Sequence, residues 1–190
     1  LGVKIGETYT DYSQGSVRQT GGTYDLALSG SGFFTVSVTD KAGEVHTRYT
    51  RDGRFHLTKD GLLVDADGNA VQGQNGNITI DPSSKNVSIS ATGQITADGE
   101  LVDTLNIVDF EDYDYLKKYG DTMYEPVDGA TTKDAEGEIL QGYTEQSNVN
   151  VVREMVDMIT ITRAYEAGQK VIRSYDSMLD KSVNQVGALK

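Results

Sequence analysis

The feature that most constrains this chain is an abrupt change of character at Ser147. From Asn148 to Gln185 the sequence has one glycine, Gly168, and no proline, although the whole chain has 21 glycines. Because glycine and proline interrupt helices, their scarcity here predicts one long helix. The side-chain oxygen of Ser147 or Asn148 is expected to cap its start. About 37 helical residues would extend roughly 55 Å, well past the radius of a small domain.

The residues along this predicted helix form a seam with alternate spacings of four and three, which is typical of a coiled coil. Polar residues interrupt the seam at Thr162, Gln169 and Asp176, and seven apolar residues outside it widen the apolar surface. The seam positions are Val151, Met155, Met158, Thr162, Tyr165, Gln169, Ile172, Asp176, Leu179, Val183 and Val186. The widening positions are Val152, Val156, Ile159, Ile161, Val171, Tyr175 and Met178.

An apolar surface of this length is too large for one small β domain to cover, and exposed apolar surface of that size marks an interaction site. We therefore expect a second helix to cover it, from a neighbouring copy or from a segment that precedes Leu1. The alternative is an ordinary amphipathic helix folded back on the sheet. The residues predicted to carry assembly are Val151, Met155, Met158, Ile159, Tyr165, Ile172 and Leu179.

The residues before this helix are predicted to form β structure. Short apolar stretches alternate with Asp-Gly and Asn-Gly pairs, which suit the tight turns of hairpins. Residues 33–38 and 45–49 are predicted to pair as one hairpin, and the echo between residues 53–65 and 93–103 predicts one hairpin design used twice. The predicted fold is mainly β, an antiparallel meander or barrel-like domain followed by a long C-terminal α-helix.

The domain organisation predicted from these patterns has three parts. Residues 1–14, in which Leu1, Val3 and Ile5 alternate with small or polar residues, are expected to form an extended arm. Residues 15–146 are expected to form the β domain. Residues 147–190 are expected to form the helical assembly segment.

The charge of the chain excludes one class of partner. Residues 149–190 carry six basic and five acidic residues, so the net charge of −12 places −13 on residues 1–148. Such an acidic body repels phosphate backbones, so nucleic-acid binding is not expected. The sequence shows no apolar run of membrane-spanning length and no recognisable signal peptide. Membrane insertion is therefore not expected.

The sequence has no residue pattern that predicts catalysis, a metal site or a cofactor. It has no cysteine, and His46 and His56, which could face each other across a hairpin, are too few for a metal site. Residues 65–69 resemble the opening of a calcium loop, but Ala70 and Gly76 stand where that loop needs Gly and Glu, so a turn is predicted. We expect no enzyme activity, no metal and no cofactor.

Nine short segments form a recognisable set of motifs along the chain. They are residues 13–21 (SQGSVRQTG), 30–36 (GSGFFTV), 49–55 (YTRDGRF), 61–64 (GLLV), 68–73 (GNAVQG), 147–150 (SNVN), 154–159 (EMVDMI), 163–166 (RAYE) and 178–179 (ML). In order and spacing they resemble the family of flagellar hook and basal-body rod proteins. The chain departs from the family at Thr162, where Gln is frequent, and at Gly168, where Asn is common. The motif residues singled out are Gly32, Phe33, Phe34, Tyr49, Thr50, Arg51, Gly53, Ser147, Asn148, Arg163, Ala164, Tyr165 and Glu166.

The resemblance implies an architecture and a location. In this family an N-terminal helical segment, absent from this sequence, pairs with the C-terminal one to form an inner tube, and the β domain forms an outer layer. The implied location is the basal body, outside the cytoplasmic membrane, after export through the flagellar secretion apparatus. The implied partners are copies of the chain, other rod and hook proteins, and surrounding ring proteins or cell wall.

Within the family, residues 105–139 leave room for only a modest β domain, which favours a rod protein over a hook protein. The distal rod is favoured over the proximal rod. A different class of function stays open beside this one, a secreted β module that binds glycans or a host surface through Tyr113 and Tyr115.

Overall fold

The structure is a computed structural model that describes residues 9–186. Leu1, Val3 and Ile5, which were expected to begin an extended arm, lie outside the described residues. The chain divides into two compact units, residues 1–148 and residues 149–190. We refer to them as the β unit and the helical unit.

The described part of the β unit consists of short strands joined by tight turns, with one 3-10 helix at Tyr113–Tyr115. Its first nine strands are β1 (Val17–Gln19), β2 (Leu26–Ser29), β3 (Phe33–Thr39), β4 (Val45–Thr50), β5 (His56–Leu57), β6 (Leu63–Val64), β7 (Ala70–Gly73), β8 (Gly76–Asn77) and β9 (Val87–Ile89). The remaining strands are β10 (Gln94–Ala97), β11 (Glu100–Thr104), β12 (Ile107–Phe110), β13 (Leu116–Tyr119), β14 (Met123–Pro126), β15 (Thr132–Asp134), β16 (Glu138–Gln141) and β17 (Tyr143–Glu145).

These strands form one large sheet and three small ones. The large sheet has ten strands and runs in the order β13-β14-β4-β3-β7-β6-β5, with β12 and β15 attached through β3 and β8 attached through β7. The small sheets are β1-β17, β2-β16 and β11-β10-β9. The predicted mainly β fold with antiparallel sheets is confirmed, and among the described strands no sheet closes into a barrel.

The predicted hairpins are confirmed. Strands β3 and β4 pair from Phe34↔Thr50 to Thr39↔Val45. The two echoing segments form the hairpins β5-β6 and β10-β11. In the second hairpin the turn residues Asp98 and Gly99 both have positive φ, the conformation that Asp-Gly pairs suit. His46 and His56 belong to different hairpins, opposite Val38 and Val64, so the idea that they face each other is wrong.

Neighbouring side chains on β3 enter two different cores, because successive residues of a strand point to opposite faces. Phe34 and Val36 are fully buried in the larger core, together with Leu26, Leu28 and Ile95. Phe33 enters a smaller core with Phe110 and Leu116, which Tyr12, Tyr49, Tyr113 and Tyr124 surround. The alternation of side chains along β3 therefore contributes residues to both cores.

Gly53 shows why one motif glycine is needed. A Cβ atom at this position would lie 1.9 Å from the carbonyl oxygen of Leu26, a fully buried core residue. The N–H of Leu26 donates to the Gly53 carbonyl at 2.9 Å, which holds the two backbones together. Any larger residue would have to push these strands apart.

The helical unit contains α1 (Val151–Lys181), 31 residues long, followed by a π-helical turn at Ser182–Val186. The predicted long helix is confirmed, although its cap is Asn150 and the prediction of Ser147 or Asn148 is wrong. The Asn150 side chain accepts hydrogen bonds from the N–H groups of Val152 and Arg153. Asn150 has extended backbone, as a cap residue does, so the helix begins after it. Among the described residues, no helix is long and apolar enough to cross a membrane.

Candidate functional site: the exposed helix and the junction of the family motifs

The first candidate site is the surface of α1. None of its residues is buried. The seven predicted assembly residues are between 53% and 68% exposed, which is unusual for so many large apolar side chains on one element. This surface is consistent with a binding role, and the part each residue plays in assembly stays a prediction. The seven residues are Val151, Met155, Met158, Ile159, Tyr165, Ile172 and Leu179.

Two of the polar residues that interrupt the seam are satisfied within the helix. The Thr162 hydroxyl donates to the Met158 carbonyl at 2.8 Å. The Gln169 side-chain amide donates to the Tyr165 hydroxyl at 3.1 Å. Because these polar groups already have partners on their own helix, a second helix can pack on the seam with less desolvation cost at Thr162 and Gln169.

The second candidate site is the place where the chain enters and leaves the β unit. Strands β1 and β17 pair in antiparallel register, with Val17 opposite Glu145 and Gln19 opposite Tyr143. The ribbon continues beyond the strands, because the N–H of Gln146 donates to the Ser16 carbonyl at 2.8 Å. The incoming and outgoing segments are therefore joined side by side.

Arg51 ties this ribbon to the start of β3. Its guanidinium donates to the carbonyl oxygens of Gly30 and Gly32, and its Nε lies 3.3 Å from a carboxylate oxygen of Glu145. It also lies 5.7 Å from the ring centre of Phe33. Both side chains of the ion pair are mostly buried, 21% exposed for Arg51 and 11% for Glu145, so each charge depends on the other.

Further hydrogen bonds by Glu145, Asn148 and Gln14 complete this arrangement. The other Glu145 carboxylate oxygen accepts from the N–H of Gly15 at 2.9 Å. The Asn148 side-chain amide donates to the carbonyls of Asp11 and Ser13 at 3.1 and 3.0 Å. Gln14 donates to the Leu28 carbonyl and accepts from the Gly30 N–H. We call Gln14, Gly15, Arg51, Glu145 and Asn148 the junction.

The junction brings together motifs that are far apart in the sequence. Segments 13–21, 30–36, 49–55 and 147–150 all contribute to it, and a Cβ at Gly15 would lie 1.7 Å from the Gln146 carbonyl oxygen. Sequence reasoning did not single out Gln14, Gly15 or Glu145. The first two stand within a quoted motif, which was the available signal, whereas Glu145 stands in no quoted motif.

The remaining motif residues are distributed between core, junction and helix. Phe34 lies in the larger core, and Tyr49 packs edge-on against Phe110 with ring centres 4.9 Å apart. The buried Thr50 hydroxyl donates to the Thr122 carbonyl at 2.8 Å. Ser147 lines a cleft of about 750 Å³ beside the junction, with Tyr12, Arg18, Arg54 and Tyr124 among its other walls. The residues on α1 are Arg163, Ala164, Tyr165 and Glu166.

The two tyrosines of the glycan alternative have different environments. Tyr113 is partly buried and its hydroxyl donates to Asp109 at 2.7 Å, whereas Tyr115 is 41% exposed. Burial, followed by the neighbouring Asp109 carboxylate, raises the pKa of Tyr113 to about 12. Burial alone would raise the pKa of Asp109, but hydrogen bonds from Tyr113, Ser31 and the Phe110 N–H lower it below its ordinary value. Tyr113 and Tyr115 therefore do not form a surface of two exposed rings.

The predicted turn at Asp65 is confirmed. Its carboxylate accepts from the N–H groups of Asp67 and Asn69 at 2.9 and 2.8 Å, so it serves the turn. Within residues 9–186, no group of three or more His, Cys, Asp or Glu side chains is arranged to hold a metal ion.

A β unit whose entry and exit strands are clamped together, followed in the chain by a helix with exposed apolar surface, defines a class of assembling structural subunit. Comparisons with known proteins agree with this class. The family model for the flagellar hook protein FlgE/F/G D1 domain matches residues 27–97. The model for the flagellar basal body rod FlgEFG protein C-terminal region matches residues 140–186.

Flagellar basal-body rod proteins are similar to this chain over most of their length. The flagellar basal-body rod protein FlgG of Buchnera aphidicola subsp. Schizaphis graminum is 36% identical over 95% of this chain and 72% of its own length. FlgG of Bacillus subtilis is 32% identical over 97% of this chain and 73% of its own length. The rod protein FlgF of Caulobacter vibrioides is 34% identical over 94% and 72%. The chain therefore belongs to the family of flagellar hook and basal-body rod proteins.

Proposed function

We propose that the protein is a structural subunit of the flagellar basal-body rod, that it corresponds to the distal rod protein, and that it is not an enzyme. Copies assemble helically into a hollow drive shaft that transmits torque to the hook. The observation that carries the proposal is the exposed apolar surface of α1. The similarity to FlgG proteins supports the distal position.

In this mechanism the seam of α1 supplies adhesion. Burying one Met, Ile or Leu side chain stabilises a contact by roughly 1.5–3 kcal/mol, so several seam residues must be buried together to exceed an association cost of roughly 4–15 kcal/mol. Contacts between unlike surfaces of successive copies do not close into a dimer and therefore extend into a filament. A helical segment preceding residue 1 is the proposed partner of the seam within one subunit.

The junction holds the incoming and outgoing segments of the β unit together. A load applied to the outgoing segment passes into the β1-β17 ribbon and, through the Arg51–Glu145 ion pair, into β3. The acidic outer surface of the β unit then sets the spacing to other rod and hook proteins, and to ring proteins or cell wall.

The test uses the full-length protein in its own cells. Deleting residues 149–190 is expected to abolish motility and to remove the protein from purified hook–basal bodies. Met158→Asp and Ile172→Asp should do the same, because a charge on the seam is buried on assembly. Thr160→Asp, on the side of α1 opposite the seam, is the matched control and should assemble. Normal rods and swimming without residues 149–190 would overturn the proposal.

A further inference from the structure

The residues that widen the seam of α1 do not lie on one side of it. With Val151 at heptad position d and Met155 at position a, two rows flank the seam, one at positions e and b and one at positions g and c. We call them the e/b row and the g/c row. At 100° per residue, positions e and g lie about 80° and positions b and c about 125° from the seam, on opposite sides. One partner helix on the seam therefore flanks positions e and g and leaves positions b and c open.

The two rows have inverted composition. The e/b row begins with apolar residues and continues with mostly charged ones, whereas the g/c row begins with acidic residues and continues with apolar or small ones. The e/b row is Val152, Val156 and Ile159, followed by Arg163, Glu166, Lys170, Arg173, Ser177 and Asp180. The g/c row is Glu154 and Asp157, followed by Ile161, Ala164, Gly168, Val171, Tyr175 and Met178.

These apolar residues are open to a partner. The seven large ones in the two rows are between 53% and 72% exposed. At Gly168 a Cβ atom would meet nothing within 4 Å, so this point of the g/c row is an open notch on the helix surface. The apolar half of the e/b row spans only residues 152–159 and that of the g/c row residues 161–178, so an unstaggered contact would not bring the two together.

We propose that neighbouring copies of this chain pack their α1 helices in parallel, the e/b row of one against the g/c row of the next. The copies are staggered by about 15 residues, about 23 Å along the helix. The inference rests on the proposed function, because only a polymer of one polarity repeats such a contact.

A stagger of about 15 residues is favoured because it places complementary side chains opposite each other. It brings Val156 of one copy level with Val171 of the next, so apolar halves meet. It also brings Lys170 and Arg173 level with Glu154 and Asp157 of a further copy, so opposite charges meet. Without a stagger, each apolar half would face a charged half and desolvate its charges without partners.

Each helix thus contacts one copy through the N-terminal half of a row and another copy through the C-terminal half of the same row. Three or four aliphatic side chains a side bury roughly 60–120 Å² each, far below the roughly 800 Å² per partner of a stable pairwise interface. The contact is therefore weak for two copies and gains strength by repetition in the polymer.

Cysteine pairs test the register in assembled rods, because the 190 residues contain no cysteine of their own. In the full-length protein, Val156→Cys combined with Val171→Cys should form disulfide-linked ladders of dimers and higher multimers in purified hook–basal bodies after oxidation. Disulfides need Cα atoms within about 7 Å, so they report register closely. Either single variant should stay monomeric. Because the e/b row of one copy meets the g/c row of the next, the same residue of two copies is never adjacent.

The matched control combines Val156→Cys with Ser174→Cys, which moves the second thiol three residues along the helix and off both rows. It should give no ladder. Ladders in this control, dimers from a single variant, or no ladder from the first pair in rods that contain the protein would overturn the staggered contact and leave the proposed function standing. Absence of the unsubstituted protein from hook–basal bodies would instead refute the proposed function.

Charge reversal gives a second measurement where the thiol variants do not assemble. Asp157→Arg and Arg173→Asp should each reduce swimming, and the double reversal should restore it, because the proposed contact pairs these positions between copies. A double variant no better than the worse single variant would contradict the register.

Discussion

Isoleucine side chains are mostly buried in one unit of this protein and exposed in the other. Ile95, in β10, is fully buried, whereas Ile172, in α1, is 63% exposed. The β unit buries many of its large aliphatic and aromatic residues in two cores that its own strands form. In the helical unit, every described large apolar side chain of α1 remains more than half exposed. Burial within the chain stabilises the first unit, whereas the apolar surface of the second is left open to the partners proposed above.

This difference separates two kinds of sequence constraint. In the β unit an apolar residue contributes to folding, and its loss is felt by the isolated chain. Under the proposed function, an apolar residue in α1 contributes to association, and its loss is expected to be felt only where copies meet. The same substitution therefore has different consequences in the two units, and matched variants can break or sharpen the comparison.

The largest expected effect comes from Ile95→Ala. Removing a fully buried isoleucine side chain should lower the free energy of unfolding of the β unit by about 2–5 kcal/mol. Urea unfolding, followed by near-UV circular dichroism of the packed tyrosines, measures it. Ile172→Ala is the matched control and should change this value by less than about 0.5 kcal/mol. Equal losses from both variants would erase the contrast between the units.

The next effect separates the junction from the exposed surface. Arg51→Lys should destabilise the β unit by about 2 kcal/mol, because lysine cannot reproduce the forked donation to Gly30 and Gly32 while keeping the ion pair with Glu145. Arg54→Lys is the control, since the Arg54 side chain is 63% exposed and its pair with Asp52 should contribute under about 1 kcal/mol. Thermal unfolding of the two variants ranks them. A larger loss from Arg54→Lys would contradict the junction.

A smaller effect depends on pH. The pKa of Tyr113 rises from 10.0 to about 12 on folding, so its neutral form stabilises the β unit fully below pH 10. That contribution is lost as the pH rises from 10 to about 12. The advantage of the wild type over Tyr113→Phe, about 1 kcal/mol at pH 8, should therefore vanish by pH 12. Tyr115→Phe, at an exposed position, should parallel the wild type throughout.

The smallest effect concerns the start of α1. Asn150→Ala removes the acceptor for the Val152 and Arg153 N–H groups and should weaken the first helical turn by about 1 kcal/mol or less. Far-UV circular dichroism at 222 nm should report a small loss of helicity, with β-unit unfolding unchanged. Asn150→Asp keeps a capping oxygen and should retain the signal. A loss of helicity in that variant as well would argue against the cap.

Local features of the fold were predictable from the sequence. The hairpins were, because Asp-Gly turns and strand alternation act between neighbouring residues, as at Asp98 and Gly99. The long helix was also predictable from its scarcity of glycine and proline. The capping residue was missed because Ser147, Asn148 and Asn150 all have suitable side chains, and only the backbone conformation distinguishes them.

The sequence by itself determined the periodicity of α1 and therefore where its apolar residues lie, because a helix has one fixed geometry. Only the tertiary structure decided the junction. Gly15 and Glu145 meet across 130 residues of chain, and Arg51 joins them from a third segment. Nothing local marks these residues as partners, since their contact depends on how the intervening strands stack, and that is settled by the packing of the whole β unit.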